Sequence, residues 1–182
     1  MGTDKNTLSF AGERPLGVKR IGDVVAKPGE SDALKVTDCD YGMIFAGTIS
    51  GGKEDCVDVN NKCHDIEIFA DLFVVNGKYL ATIKGGSSRI LLVGEVKGHG
   101  SEVDVDIGNV ADQSDNLTRQ VKLALKHVDG DPITVRVLGG ERPIILNPFE
   151  QEYRIVFEVP GRLPKSWFLK AYKFLKRLGL PI

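Results

Sequence analysis

The sequence predicts an all-β solenoid of about five coils ending in an amphipathic helix, and three observations carry that reading. Short apolar runs alternate with period two, and each is bounded by Gly, Asn, Asp or Pro. The runs recur at near-equal steps along the chain. Only after residue 160 does the apolar spacing change to three and four. A β-sandwich of about eight to ten strands would also give short strands and frequent turns, and it is the competing arrangement.

Along the chain the alternating runs are Leu34–Val36, Ile66–Ile68, Val103–Ile107, Ile133–Val137 and Ile155–Val159. Each reads as a strand with one face inward. No helical pattern of useful length precedes residue 160. Taking Val57, Leu80, Val103, Ile133 and Ile155 as openers of successive units gives steps of 23, 23, 30 and 22 residues. Such a repeat is that of a solenoid, in which each coil closes its core only by stacking on the next. The longest step contains the polar stretch Gly108–Asn116, read as a loop leaving and rejoining the coil.

Residues 1–160 form the predicted coiled body and residues 161–182 the helix. From Pro164 to Leu178, Trp167, Phe168, Ala171, Tyr172, Phe174, Leu175 and Leu178 make one face. Lys165, Lys170, Lys173, Lys176 and Arg177 mostly take the other. Gly179 and Pro181 are stop signals. Such a helix could cap the open end of the solenoid, lie on a membrane surface, or dock on an acidic partner such as another copy's body.

The chain has 182 residues, 42% hydrophobic and 27% charged, which suits one core and excludes a disordered tail, a disulfide mini-scaffold or a polytopic membrane protein. Its 24 Lys+Arg against 25 Asp+Glu argue against a nucleic-acid face. That balance hides a split. Residues 160–182 carry six cations and no acid, so the rest of the chain is acidic. The 21 glycines with only 7% aromatics fit many tight turns. Cys39, Cys56 and Cys63 read as small buried side chains, with a disulfide between two of them left open. No Cys/His spacing resembles a zinc site. The N-terminal residues lack the pattern of a signal peptide, so the expectation is a soluble chain, virion-associated or cytoplasmic.

The stretch from Ala26 to Ile68 resembles the pectin-lyase-like right-handed parallel β-helix, and within it the polygalacturonase-type glycoside hydrolases. Ser31-Asp32-Ala33 matches the family's Asn-Thr-Asp-Gly segment, and Gly52-Lys53-Glu54-Asp55-Cys56-Val57 its Gly-Asp-Asp-Cys-Ile. Gly98-His99-Gly100 matches a Gly-His-Gly, and Arg136 the arginine of an Arg-Ile-Lys. The resemblance covers roughly residues 20–138 and implies a right-handed coil. It also implies catalytic roles for Asp32, Glu54, Asp55 and His99, and substrate binding by Arg136. In that chemistry one carboxyl holds a proton for the leaving oxygen while another activates water. Asp32 and Asp55 are 23 residues apart, one coil, so the two like charges would meet and push one pKa up. Arg136 offers a guanidinium fork for a substrate carboxylate.

The motifs depart from the family at four places. Glu30 replaces the Asn of the first segment, Glu54 replaces an Asp, and Leu138 replaces the final lysine. An extra coil between Asp55 and His99 places the histidine about 9–10 Å away. Asp32, Glu54 and Asp55 also suit turn corners, where carboxylates bond backbone amides, and His99 suits an ordinary glycine-rich turn. His64 and His127 lack a partner pattern and read as structural. No cofactor is implied, although the acid pairs Asp38/Asp40 and Asp104/Asp106 each face one way on a strand. They could hold Ca²⁺, as in the related pectate lyases.

The segment from Arg20 to Val36 is similar to a phrase recurring in phage tail-fibre proteins. The expectation is therefore a non-catalytic or degenerate β-helix, a phage- or virus-type structural or glycan-binding element. Its partners would be a polysaccharide or cell-surface glycan, virion proteins or further copies. The alternative is a small glycoside hydrolase acting on an acidic polysaccharide through Asp32, Glu54 and Asp55.

Overall fold

Every strand pairing in the computed structural model is parallel, and the chain alternates between two sheets as it advances. The structure describes residues 8–108, 117–138, 141–147 and 149–158. The first sheet (sheet A) runs in the order β1 (Leu8–Ala11), β4 (Asp32–Thr37), β6 (Asp55–Asn60), β8 (Tyr79–Ile83), β10 (Val105–Gly108), β12 (Ile133–Leu138), β14 (Tyr153–Glu158). The second (sheet B) is built from β2 (Gly17–Arg20), β5 (Asp40–Ser50), β7 (His64–Val74), β9 (Ser88–Lys97), β11 (Arg119–His127) and β13 (Ile144–Ile145). The short β3 (Val24–Val25) also lies on β5. This is an all-β parallel solenoid of about six turns.

The expected five coils become six because residues 8–25 make a turn of their own, from strands too short to show alternation. The coil length read from the sequence holds, but the register slips. Leu34, Val57, Ala81, Val105, Val135 and Ile155 are the true partners, with steps of 23, 24, 24, 30 and 20. Leu80, Val103 and Ile133 each stand one or two residues early, because the coils from Val57 to Ala81 and from Ala81 to Val105 are 24 residues long and not 23. The helix expected over 164–178, and most of the loop expected over 108–116, lie outside the described residues. Among the described residues no helix is long and apolar enough to cross a membrane.

The core is made of columns, one residue per coil. On sheet A the row Leu34, Val57, Ala81, Val105, Val135 faces inward. Ile44, Ile68, Leu92 and Leu123 meet it from sheet B. These residues are at most 1% exposed, so the hydrophobic gain comes from like stacking on like. The three cysteines are free and buried, with no disulfide. Burial pushes the Cys56 thiol up to about 12 and Cys63 to about 11, so neither is a ready nucleophile. Cys39 and Cys63 stack at one corner, where the Cys39 amide donates to Cys63 Sγ and the Cys63 amide to Ser87 Oγ.

The opposite corner, where sheet B returns to sheet A, is set by glycines. A Cβ on Gly52 would collide with the carbonyls of Asp55 and Ser31, and one on Gly100 with those of Val103 and Lys78. Gly52 also has φ +95°, which side-chain-bearing residues rarely adopt. This corner delivers Asp55 to the start of β6 and His99 to the turn before β10.

Candidate functional site

Pairing register sets one polar residue per coil in a line across sheet A: Lys35, Asp58, Thr82, Asp106, Arg136, of which Asp58, Thr82 and Asp106 are buried. Beside it, Asp32, Asp55 and Tyr79 are successive register partners. Coils repeat every ~4.8 Å, so like charges in such a line would repel unless cations interleave. They do. Lys35 Nζ lies 3.1 Å from Asp58 Oδ2 and 3.6 Å from Asp32 Oδ2, and Lys84 Nζ lies 3.4 Å from Asp58 Oδ1. Asn60 Nδ2 donates to Asp58 Oδ2 at 2.5 Å.

Among the described residues no cation lies within ion-pair distance of Asp55, although Lys84 lowers its pKa from farther off. Its side chain is buried, Thr82 Oγ1 donates to its Oδ2 at 2.8 Å, and its Oδ1 has no hydrogen-bond partner among the described residues. Burial raises its pKa to about 7. The Thr82 hydrogen bond opposes the shift, and the charges of Asp32 and Asp58 add to it. Asp32 is raised for the same leading reason, burial, with Asp58 adding and Lys35 opposing. A protonated carboxyl beside carboxylates is what acid catalysis needs, and equally what close packing of acids produces unaided.

Further along the same face Arg136 closes a second group. Its Nε and Nη2 donate to the two oxygens of Asp106 at 3.1 and 2.7 Å, a bidentate fork. Nη2 also donates to the Tyr79 hydroxyl at 3.1 Å, and that hydroxyl donates to Glu102 Oε2 at 2.6 Å. Burial and the bond to Glu102 push the Tyr79 hydroxyl up to about 12. The fork read as a receptor for a substrate carboxylate is therefore engaged by the protein's own Asp106.

Of the residues marked by the sequence, the structure brings Asp32 and Asp55 together and sets Arg136 three coils on along the same sheet. Glu54 turns to solvent, 3.6 Å from Lys78 Nζ. His99 lies two coils from Asp55 at the turn before β10, where Nδ1 is 3.2 Å from Asp104 Oδ1 and Nε2 is 3.4 Å from Asp131 Oδ2. It stacks on His127 with ring centroids 4.3 Å apart. His127, which the sequence marks only as a structural residue without a partner pattern, is thus the neighbour of His99. His64 meets Ser88 Oγ at 2.7 Å.

Of the acid pairs read as calcium candidates, Asp38 and Asp40 share one cation, and Asp104 and Asp106 go to separate partners. Asp38 pairs with Arg14, and Asp40 Oδ2 lies 3.5 Å from the same side chain. Asp104 is held by Thr134, Gly100 and His99, while Asp106 is held by Arg136. Among the described residues, the group with metal-ligand spacing is His99, His127 and Asp131.

Sequence reasoning also missed Asp58, Thr82 and Tyr79, which become visible only through register. On the outer face of sheet B, a cleft of about 430 Å³ is lined by Asp65, Glu67, Arg89, Gln120 and Lys122 among others. Part of that wall is the Arg89–Asp65 pair, with both bonds under 2.7 Å. No family model, no curated protein and no solved structure matches this chain, so the parallel solenoid stands on its own geometry.

Proposed function

We propose that this chain is a glycan-binding structural element that uses the outer face of sheet A, a right-handed β-helix of the pectin-lyase-like kind serving in a phage- or virus-type assembly. The observation that carries the reading is the line Lys35–Asp58–Thr82–Asp106–Arg136, one polar side chain per coil in a single register. Asp58, Thr82 and Asp106 are buried in this line, so an extended polymer of hydroxyl groups would meet it at the partly exposed Lys35 and Arg136. Tyr79, half-buried next to Arg136, supplies a ring edge and a polar tip. The departures from the hydrolase motifs favour binding over turnover: Glu54 points to solvent, and His99 is committed to Asp104 and Asp131.

A second reading rests on one specific observation, the Asp55 carboxyl raised to about 7 beside Asp32. In it Asp55 is the proton donor of a small glycoside hydrolase acting on acidic polysaccharide, and Asp32 is the carboxylate that activates water.

One experiment separates the two. The protein is offered a broad panel of neutral and acidic glycans, polygalacturonate included, with binding and release of reducing ends both measured. The first reading expects binding without release, weakened at least about tenfold by a Tyr79→Ala, Arg136→Ala pair. The second expects release that Asp55→Asn abolishes. Absence of both binding and release across the panel, with no assembly partner found, removes both readings.

A further inference from the structure

We propose that residues 164–178 dock as a helix across the C-terminal end of the coil stack and close the core over Tyr153, Ile155 and Phe157 of their own chain. The inference begins at a column that runs out of cover. Val36, Val59, Ile83, Ile107 and Val137 are successive register partners on the inner side of sheet A, each at most 1% exposed. Phe157 is the next partner, and it is 54% exposed. Ile155 likewise ends the row from Leu34 to Val135 only partly buried, and Ile145 ends the facing row on sheet B in the same state. An inward phenylalanine left half in water forgoes much of what its burial would contribute.

The rest of the exposed apolar surface points to the same end. Of the nine large hydrophobic side chains that stand exposed among the described residues, six fall within residues 128–157: Val128, Ile144, Leu146, Phe149, Val156 and Phe157. The opposite end is better covered. Phe10, which starts the Val36 column, is partly buried and has the Lys19 ammonium 5.4 Å from its ring centre. Among the described residues Phe157 has no such ring contact.

The chain itself supplies the cover. β14 finishes at Glu158, on the exposed end, and the amphipathic stretch Pro164–Leu178 begins after five more residues. Those five can span up to ~17 Å, enough to turn back over the stack. The sizes match as well. A helix over 164–178 is ~22 Å long and ~10 Å across. A strand the length of β14 runs ~20 Å, and packed sheets stand ~10 Å apart. Charge agrees, because residues 141–158 carry Glu141, Glu150, Glu152 and Glu158 against Arg142 and Arg154, while residues 160–182 hold six cations and no acid. So short a tether sets an effective concentration in the millimolar range, which favours the chain's own end over a second copy's. Docked there, the helix also denies the end to another solenoid, so the stack terminates instead of adding coils from further copies.

Trp167 is the only tryptophan of the chain, so its emission reports on this segment alone. The full-length protein should sediment as a monomer, with blue-shifted emission and little quenching by acrylamide. Phe157→Asp should red-shift the emission and raise quenching several-fold, while circular dichroism keeps the strand signal. Leu175→Asp, which leaves the residues of the coils untouched, should do the same from the other side of the contact. Tyr41→Asp, at an exposed side chain on the outer face of sheet B, should leave the emission as in the parent. Water-like emission in the parent, equal red shifts from Phe157→Asp and Tyr41→Asp, protection that fades on dilution, or protection that appears only with anionic vesicles would each overturn the proposal.

Discussion

Asp55 illustrates how a buried side chain writes itself into stability. Its native pKa of about 7 lies above the ordinary 3.8, so the folded chain keeps a proton that the unfolded chain has released. The contribution is fully present below 3.8 and is lost as pH rises towards 7. Asp32, shifted in the same direction, steepens the same window. Urea denaturation should therefore show stability falling between about pH 4 and 7. Asp55→Asn, which keeps the acceptor for Thr82 and cannot ionise, should flatten that slope and gain on the parent protein at pH 8. An unchanged slope in the variant would mean that the burial of Asp55 does not set its charge.

At the scale of the element, what matters is the column rather than the strand. Ile68 is fully buried between Ile44 and Leu92 of the neighbouring coils, so truncating it leaves a hole bordered by both. Ile68→Ala should cost about 2–5 kcal/mol in urea denaturation, whereas Glu67→Ala, next to it on the outer face, should change stability by less than about 0.5 kcal/mol. Comparable losses at the two positions would contradict the inward–outward assignment. The strands themselves were legible, because β-branched and polar residues alternate in β12 and across much of β7. The candidate site was legible only in part. The step of 23 residues already places Asp32 against Asp55. Asp58, Thr82 and Tyr79 join them because the next coil is one residue longer than 23, which no local pattern announces. His127 shows the same limit, since nothing in its neighbourhood of sequence marks it as the partner of His99 and Asp131.

Over the whole molecule, each coil touches only its neighbours, so stability is close to a sum of nearest-neighbour terms. Among the described residues β1 pairs only with β4, and β14 only with β12, while β6 to β9 are sandwiched on both sides. Hydrogen exchange should therefore be slowest in β6 to β9 and fastest in β1 and β14. Uniform protection along the chain would indicate a single cooperative unit instead.

By itself the sequence determined the class of structure: period-two strands, glycine-rich corners and a repeat close to 23 residues leave few ways other than stacked coils to bury the apolar face. Those are local properties, written in the order of residues. Which side chains meet was decided only by the tertiary structure, because contacts between coils depend on the summed length of two corners and two strands. A change of one residue there moves a side chain to the other face. For that reason the acid-rich track on sheet A and the paired imidazoles at its corner exist only once the solenoid has closed.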